Sequence, residues 1–81
     1  MALTQVQFNT LVEDHGPALY RMAYRMVGDR HEAEDLVQET FLKAFTFFHR
    51  FEKNTNCRAW LFKILTNTFI NNYRRKVKER E

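Results

Sequence analysis

The apolar positions of this 81-residue chain recur at spacings of three and four, and no stretch shows sustained alternation. That periodicity belongs to amphipathic helices, so the pattern predicts an all-α fold, a compact bundle of about four helices with no good strand candidate. Thr4 followed by Gln7 has the form of a capping box and opens a first helix to about Asp14, with Val6, Phe8, Leu11 and Val12 as its apolar positions. Gly16-Pro17 reads as its stop. Pro17 then suits the first turn of a second helix, in which Leu19, Met22, Ala23, Met26 and Val27 keep the spacing up to Gly28 as a C-terminal cap.

Asp29, with Glu32 three positions on, opens a third helix expected to run to about Arg50. Its core face is read as Ala33, Val37, Thr40, Phe41, Ala44, Phe48 and Phe51; the opposite arc holds Asp35, Gln38, Glu39, Leu42 and Thr46. From geometry alone this polar arc is either a solvated helix face or a small protein-binding surface with a charged rim. The segment Phe51 to Asn56 is rich in turn-forming residues, and Asn56 is a fitting N-cap for a last helix from Cys57 to about Lys78. There Cys57, Leu61, Ile64, Leu65, Thr68 and Phe69 form the buried stripe, while Trp60, Lys63, Asn67, Asn71, Arg74 and Lys78 line another arc. The tail from Lys78 to Glu81 has nothing to bury and is expected to fray.

Charge sharpens this picture because its sign changes halfway along. Residues 1–49 carry four Lys and Arg against seven Asp and Glu, a net of −3; residues 50–81 carry nine against three, a net of +6. An acidic half joined to a basic, aromatic and Asn-rich half points to two partners, one of them a nucleic acid. Lys and Arg neutralise phosphates, Asn can pair bidentately with base edges, and Trp60 offers a stacking platform. Lys53, Asn54, Thr55, Asn56 and Arg58 supply the short polar groups that suit a pocket for an extruded base. Arg75 joins the same basic set. A plain amphipathic helix with a solvated basic face and Trp60 partly in the core is the alternative.

Composition closes off other classes. With 44% hydrophobic residues, 15% aromatic and eight Phe, the chain is too apolar to be disordered. No apolar run approaches the roughly 18 residues that span a bilayer, and Met1-Ala2-Leu3-Thr4 lacks the features of a signal peptide, so a cytoplasmic location without membrane insertion is expected. Cys57 is the single cysteine, which excludes an internal disulfide framework; with His15, His31 and His49 it matches no metal-ligand spacing, and a core role is the simpler reading. Glycine-rich phosphate loops, nucleophile elbows and paired catalytic carboxylates are all missing, so neither an enzyme nor a cofactor is expected.

The run Gly28-Asp29-Arg30-His31-Glu32-Ala33-Glu34-Asp35-Leu36-Val37-Gln38-Glu39-Thr40-Phe41-Leu42-Lys43-Ala44-Phe45, followed by Ala59-Trp60-Leu61-Phe62-Lys63-Ile64 and Asn67-Thr68, resembles region two of an extracytoplasmic-function sigma factor of the sigma-70 family. The resemblance extends from about Phe8 to Lys78, read as a domain over 1–78 with 79–81 opening a linker. It implies a helical bundle that binds the clamp helices of the RNA polymerase β′ subunit and recognises and melts the minus-ten promoter element. It further implies that Asp35, Gln38, Glu39 and Leu42 face polymerase. Glu52 to Arg58 would capture a flipped non-template base, and the face with Trp60, Lys63, Asn67, Asn71 and Arg74 would read promoter DNA. Family members carry a further helix-turn-helix domain, region four, that reads the minus-thirty-five element; this sequence has no counterpart, which implies an excised domain.

A narrower likeness, in Asn54-Thr55-Asn56 and Ile64 to Asn71, is to the subgroup that answers thiol-oxidative stress under a zinc-binding anti-sigma factor. An anti-sigma factor is thus an expected partner. Two other classes stay open at this point: a general DNA-binding helical module, and an interaction module whose main ligand is an anti-sigma-type protein.

Overall fold

The computed structural model describes residues 5–47 and 56–80, and these form three helices: α1 (Gln5–Val27), α2 (Arg30–Phe47) and α3 (Cys57–Arg80). Gly28 and Asp29 alone link α1 to α2, so the two fold back as an antiparallel hairpin. Gly28 makes the reversal at φ 71°, in the left-handed region that glycine enters without a Cβ penalty, and its N–H donates to the Tyr24 carbonyl at 2.8 Å. One residue later the Asp29 carboxylate caps α2, Oδ1 accepting from the Glu32 N–H at 2.9 Å. Packing agrees with this pairing: near the start of α1, Phe8 sets its ring edge-on to Phe41 and Phe45 in the second half of α2, at centroid distances of 6.1 and 5.2 Å.

Gly16-Pro17 does not stop a helix, which corrects the expected four helices to three. Both residues lie inside α1. On a helix of 100° per residue, Phe8, Val12, Leu19, Ala23 and Met26 fall within about 40° of one line, so the apolar stripe stays in phase through residues 16 and 17. Ending the helix there would take Phe8 and Val12 off the core, whereas Pro17 forfeits one backbone hydrogen bond at an exposed position. The capping box at Thr4 lies outside the described residues.

The core is small and shared by all three helices. Leu19 and Ala23 from α1, Ala33, Leu36, Thr40, Phe41 and Ala44 from α2, and Leu61, Leu65 and Thr68 from α3 are buried. Leu36 is absent from the expected core face of α2, which is therefore turned towards that residue, while Val37 is only partly buried. Phe48 and Phe51, expected on the same face, lie outside the described residues, as does any part of α2 beyond Phe47. The two buried threonines are satisfied: Thr40 Oγ1 donates to the Leu36 carbonyl at 2.8 Å, and Thr68 Oγ1 accepts from Lys43 Nζ at 3.1 Å.

Three contacts set the register of α3 antiparallel to α2. They pair Lys76 with Glu32 (3.7 Å), Asn72 with Glu39 (3.0 Å) and Lys43 with Thr68 (3.1 Å). At its start, α3 is capped by Asn56, whose Oδ1 accepts from the Ala59 N–H at 3.3 Å. Instead of fraying at Lys78, the helix continues to Arg80, built of residues with high helix propensity and held to α2 by Lys76.

Two stability changes are expected. A Cβ built on Gly16 meets nothing nearer than Phe41 Cε2 at 4.0 Å, so Gly16→Ala should raise the unfolding free energy by about 0.5–1 kcal/mol in a urea titration. Leu65→Ala, at a fully buried position, should lower it by about 2–5 kcal/mol in the same measurement.

Candidate functional site

Two arcs of side chains are left over once the core stripes are buried. On α2, Asp35, Gln38 and Leu42 lie opposite the core and are exposed, Leu42 at 67%. Glu39 differs from them. It sits on the flank towards α3, half-buried, with Oε2 accepting from Asn72 Nδ2. Asn72 Oδ1 in turn accepts from Arg75 at 2.8 Å.

These groups border a groove of ≈ 630 Å³ between α2 and the second half of α3. Its floor is apolar, with Met26, Val27, Leu36 and Phe69; its rim carries Glu32, Asp35, Glu39 and Glu79 against Arg75 and Lys76. The cations come from the basic half of the sequence and fold back on the acidic helix, so the acidic surface is partly neutralised from within the chain. Arg75 therefore lies on this side, away from the other basic residues with which the sequence grouped it.

The second arc is on α3. Trp60, Lys63, Asn67, Asn71 and Arg74 fall within about 40° of one line along the helix. Trp60, Lys63 and Asn67 converge on a separate pocket of ≈ 310 Å³, whose remaining wall is Lys43, Phe47, Ile64 and Thr68. Trp60 is half-buried and packs against the core, so its indole is a fixed wall more than a free platform. Asn71 and Arg74 continue the arc, exposed, beyond the pocket.

Among the described residues no carboxylate lines this pocket. Two ammonium groups, an amide, an indole and a phenyl ring make it a place for an anion attached to a flat ring system. Lys43 and Phe47 are not candidates on the sequence alone, because the period of a single helix does not show that these two reach the α3 face through packing.

At the start of α3 the residues have structural partners. Asn56 spends its side-chain carbonyl on the cap, and Arg58 Nε donates to His15 Nδ1 on α1 at 3.4 Å, both at exposed positions. Lys53, Asn54 and Thr55 lie outside the described residues. Cys57 is half-buried on the core side, and desolvation by burial pushes its thiol pKa upwards, which favours the protonated, unreactive form. Among the described residues no group of three or more His, Cys, Asp or Glu is gathered as a metal site, and no helix is long and apolar enough to cross a membrane.

Residues 11–79 match the family model for Sigma-70 region 2. The chain is 41% identical over 69 residues to ECF RNA polymerase sigma factor SigE of Mycolicibacterium smegmatis, covering 85% of this chain and 26% of the relative. It is 38% identical over 72 residues to ECF RNA polymerase sigma factor SigW of Bacillus subtilis, covering 89% and 38%. ECF RNA polymerase sigma factor SigM of the same organism is 39% identical over 61 residues, covering 75% and 37%. The chain thus spans about a quarter to two fifths of the length of these relatives. The family match takes in most of α1 and all of α2, and in α3 all but the last helical residue, so the chain belongs to the sigma-70 region 2 family.

Proposed function

We propose that this chain is the part of an extracytoplasmic-function sigma factor that docks on the β′ clamp helices of RNA polymerase core and engages the minus-ten promoter element during transcription initiation. The observation that carries this reading is the pairing of two unlike faces on adjacent helices. One is an exposed stripe with Asp35, Gln38 and Leu42; the other is a cationic, aromatic pocket with, among the described residues, no carboxylate in its wall. The names of the relatives, all RNA polymerase sigma factors, support it.

The chemistry of the two faces divides the work. Asp35 and Gln38 would meet basic and polar groups on the clamp helices, and Leu42 would bury apolar surface at the centre of the contact. Glu39, already bonded to Asn72, would hold the edge of that surface in shape. On the other face Lys63 and Arg74 would contact the phosphate backbone, while Trp60 and Asn67 would meet a base. Extruding a base costs a few kcal/mol, and stacking on an aromatic ring returns about 1–3 kcal/mol per base, so captured bases can hold a strand open without ATP. Loop residues 53–55 would complete the capture site. Such work belongs in the cytoplasm, and an anti-sigma factor would act by covering either face.

Two measurements test the assignment. Asp35→Arg should abolish pull-down of a β′ clamp-helix fragment with helical content unchanged; retained binding would exclude the docking role. Asn67→Ala should weaken binding to a non-template strand carrying the minus-ten sequence about tenfold more than binding to a scrambled strand. Equal losses on both strands would leave only nonspecific electrostatics.

A further inference from the structure

The pocket beneath Trp60 contains a cation that the family comparison does not single out. Lys43 lies on the flank of α2 that faces α3, half-buried, and its ammonium group donates to the hydroxyl of Thr68 at 3.1 Å. Thr68 is itself only 1% exposed, so the anchor is built into the core. Glu39, one turn before Lys43, is engaged by Asn72, and neither described ion pair includes Lys43. An ammonium group has three donors, and the Thr68 hydroxyl takes one. Among the described residues the other two have no partner, and they lie at the edge of a pocket that also presents Lys63 and, among those residues, no carboxylate.

Holding a lysine half-buried against a neutral hydroxyl costs side-chain entropy and desolvation, and the hydroxyl does not neutralise the charge. That cost is recovered when an anion arrives, because the ammonium is already positioned and needs no further ordering. We infer that Lys43, oriented by Thr68, is a phosphate-binding residue that fixes the backbone of the strand whose base lies against Trp60 and Asn67. The inference rests on the proposed DNA-engaging role of this face and adds to it a contact from α2. One bound nucleotide would then be gripped from both helices: its phosphate by Lys43 with Lys63, its base by Trp60 and Asn67. Thr68 is the positioning residue. It makes no contact with the strand.

The test uses the full chain and a fluorescent non-template strand, with the salt dependence of binding as the readout. Lys43→Met keeps the apolar stem and removes the charge; Lys43→Arg keeps the charge; Thr68→Val keeps the shape and removes the hydroxyl. Circular dichroism confirms that each is folded. For Lys43→Met the slope of log K against log salt should become shallower by about 0.7, the value for one phosphate contact on a single strand, with affinity several-fold weaker. A single methylphosphonate, walked along the strand, should weaken wild type at one linkage and leave Lys43→Met indifferent there. Lys43→Arg should restore the slope, and Thr68→Val should weaken binding while leaving the slope near wild type.

An unchanged slope and affinity in Lys43→Met, with wild type still preferring the minus-ten strand, would overturn the assignment of Lys43 and leave the proposed function standing. A shallower slope in Lys43→Met, with a wild type that shows no preference between minus-ten and scrambled strands, would uphold the phosphate site and remove the promoter reading. Failure of wild type to bind either strand would overturn both.

Discussion

Everything in this domain hangs on the buried stripe of α2. Half of the buried residues among those described come from that one helix, which packs against α1 on one side and α3 on the other. Ala33 and Ala44 on α2 and Ala23 on α1 are small enough to let the helices approach closely, and Leu36 and Phe41 supply bulk to the same core. A chain of this size buries only about 60% of the surface its unfolded form exposes, so it has no second core to fall back on. Each helix commits one arc to this stripe, and what is left of its circumference is available for binding. The two candidate faces are therefore consequences of the packing, each made of what its helix leaves outside the shared core.

Charge is distributed in the same way. Along the sequence the acidic and basic halves are separate, but the antiparallel register of α2 and α3 brings part of each together. Lys76 meets Glu32, and Arg75 reaches Glu39 through Asn72. These exposed and half-exposed contacts contribute little to stability individually, on the order of 0–1 kcal/mol each. Their larger effect is on the field around the molecule. They offset part of the positive charge at the far end of α3, whereas among the described residues no ion pair includes Lys43, Lys63 or Arg74. An apparently uniform basic helix becomes one with a neutralised flank and a charged one.

Local signals are legible in the sequence because their causes are local. Gly28, Asp29 and Asn56 cap helices because a left-handed glycine or a side-chain oxygen three residues from an amide needs only neighbours in sequence. The stripe of Leu61, Leu65 and Thr68 and the exposure of Leu42 are legible for a related reason, since one helix and its period determine which positions share a face. Region-two character is legible in the order of two motifs. Gly16-Pro17 misleads because the stop signal is a local propensity of a few kcal/mol, and an in-phase stripe continuing from Phe8 to Met26 outweighs it once there is a core to pack against.

By itself, then, the sequence determined the helical class, the caps at Gly28, Asp29 and Asn56, the family, and the two sets of side chains that leave the core. Tertiary structure alone decided that α1 is continuous, that Leu36 joins the core, that Arg75 sides with the acidic helix, and that Lys43 and Phe47 belong to the pocket under Trp60. The physical reason is the same in each case. Helical periodicity fixes directions around one axis, whereas a contact between α2 and α3 depends on their relative rotation and register, and those are set by how a few buried side chains interlock.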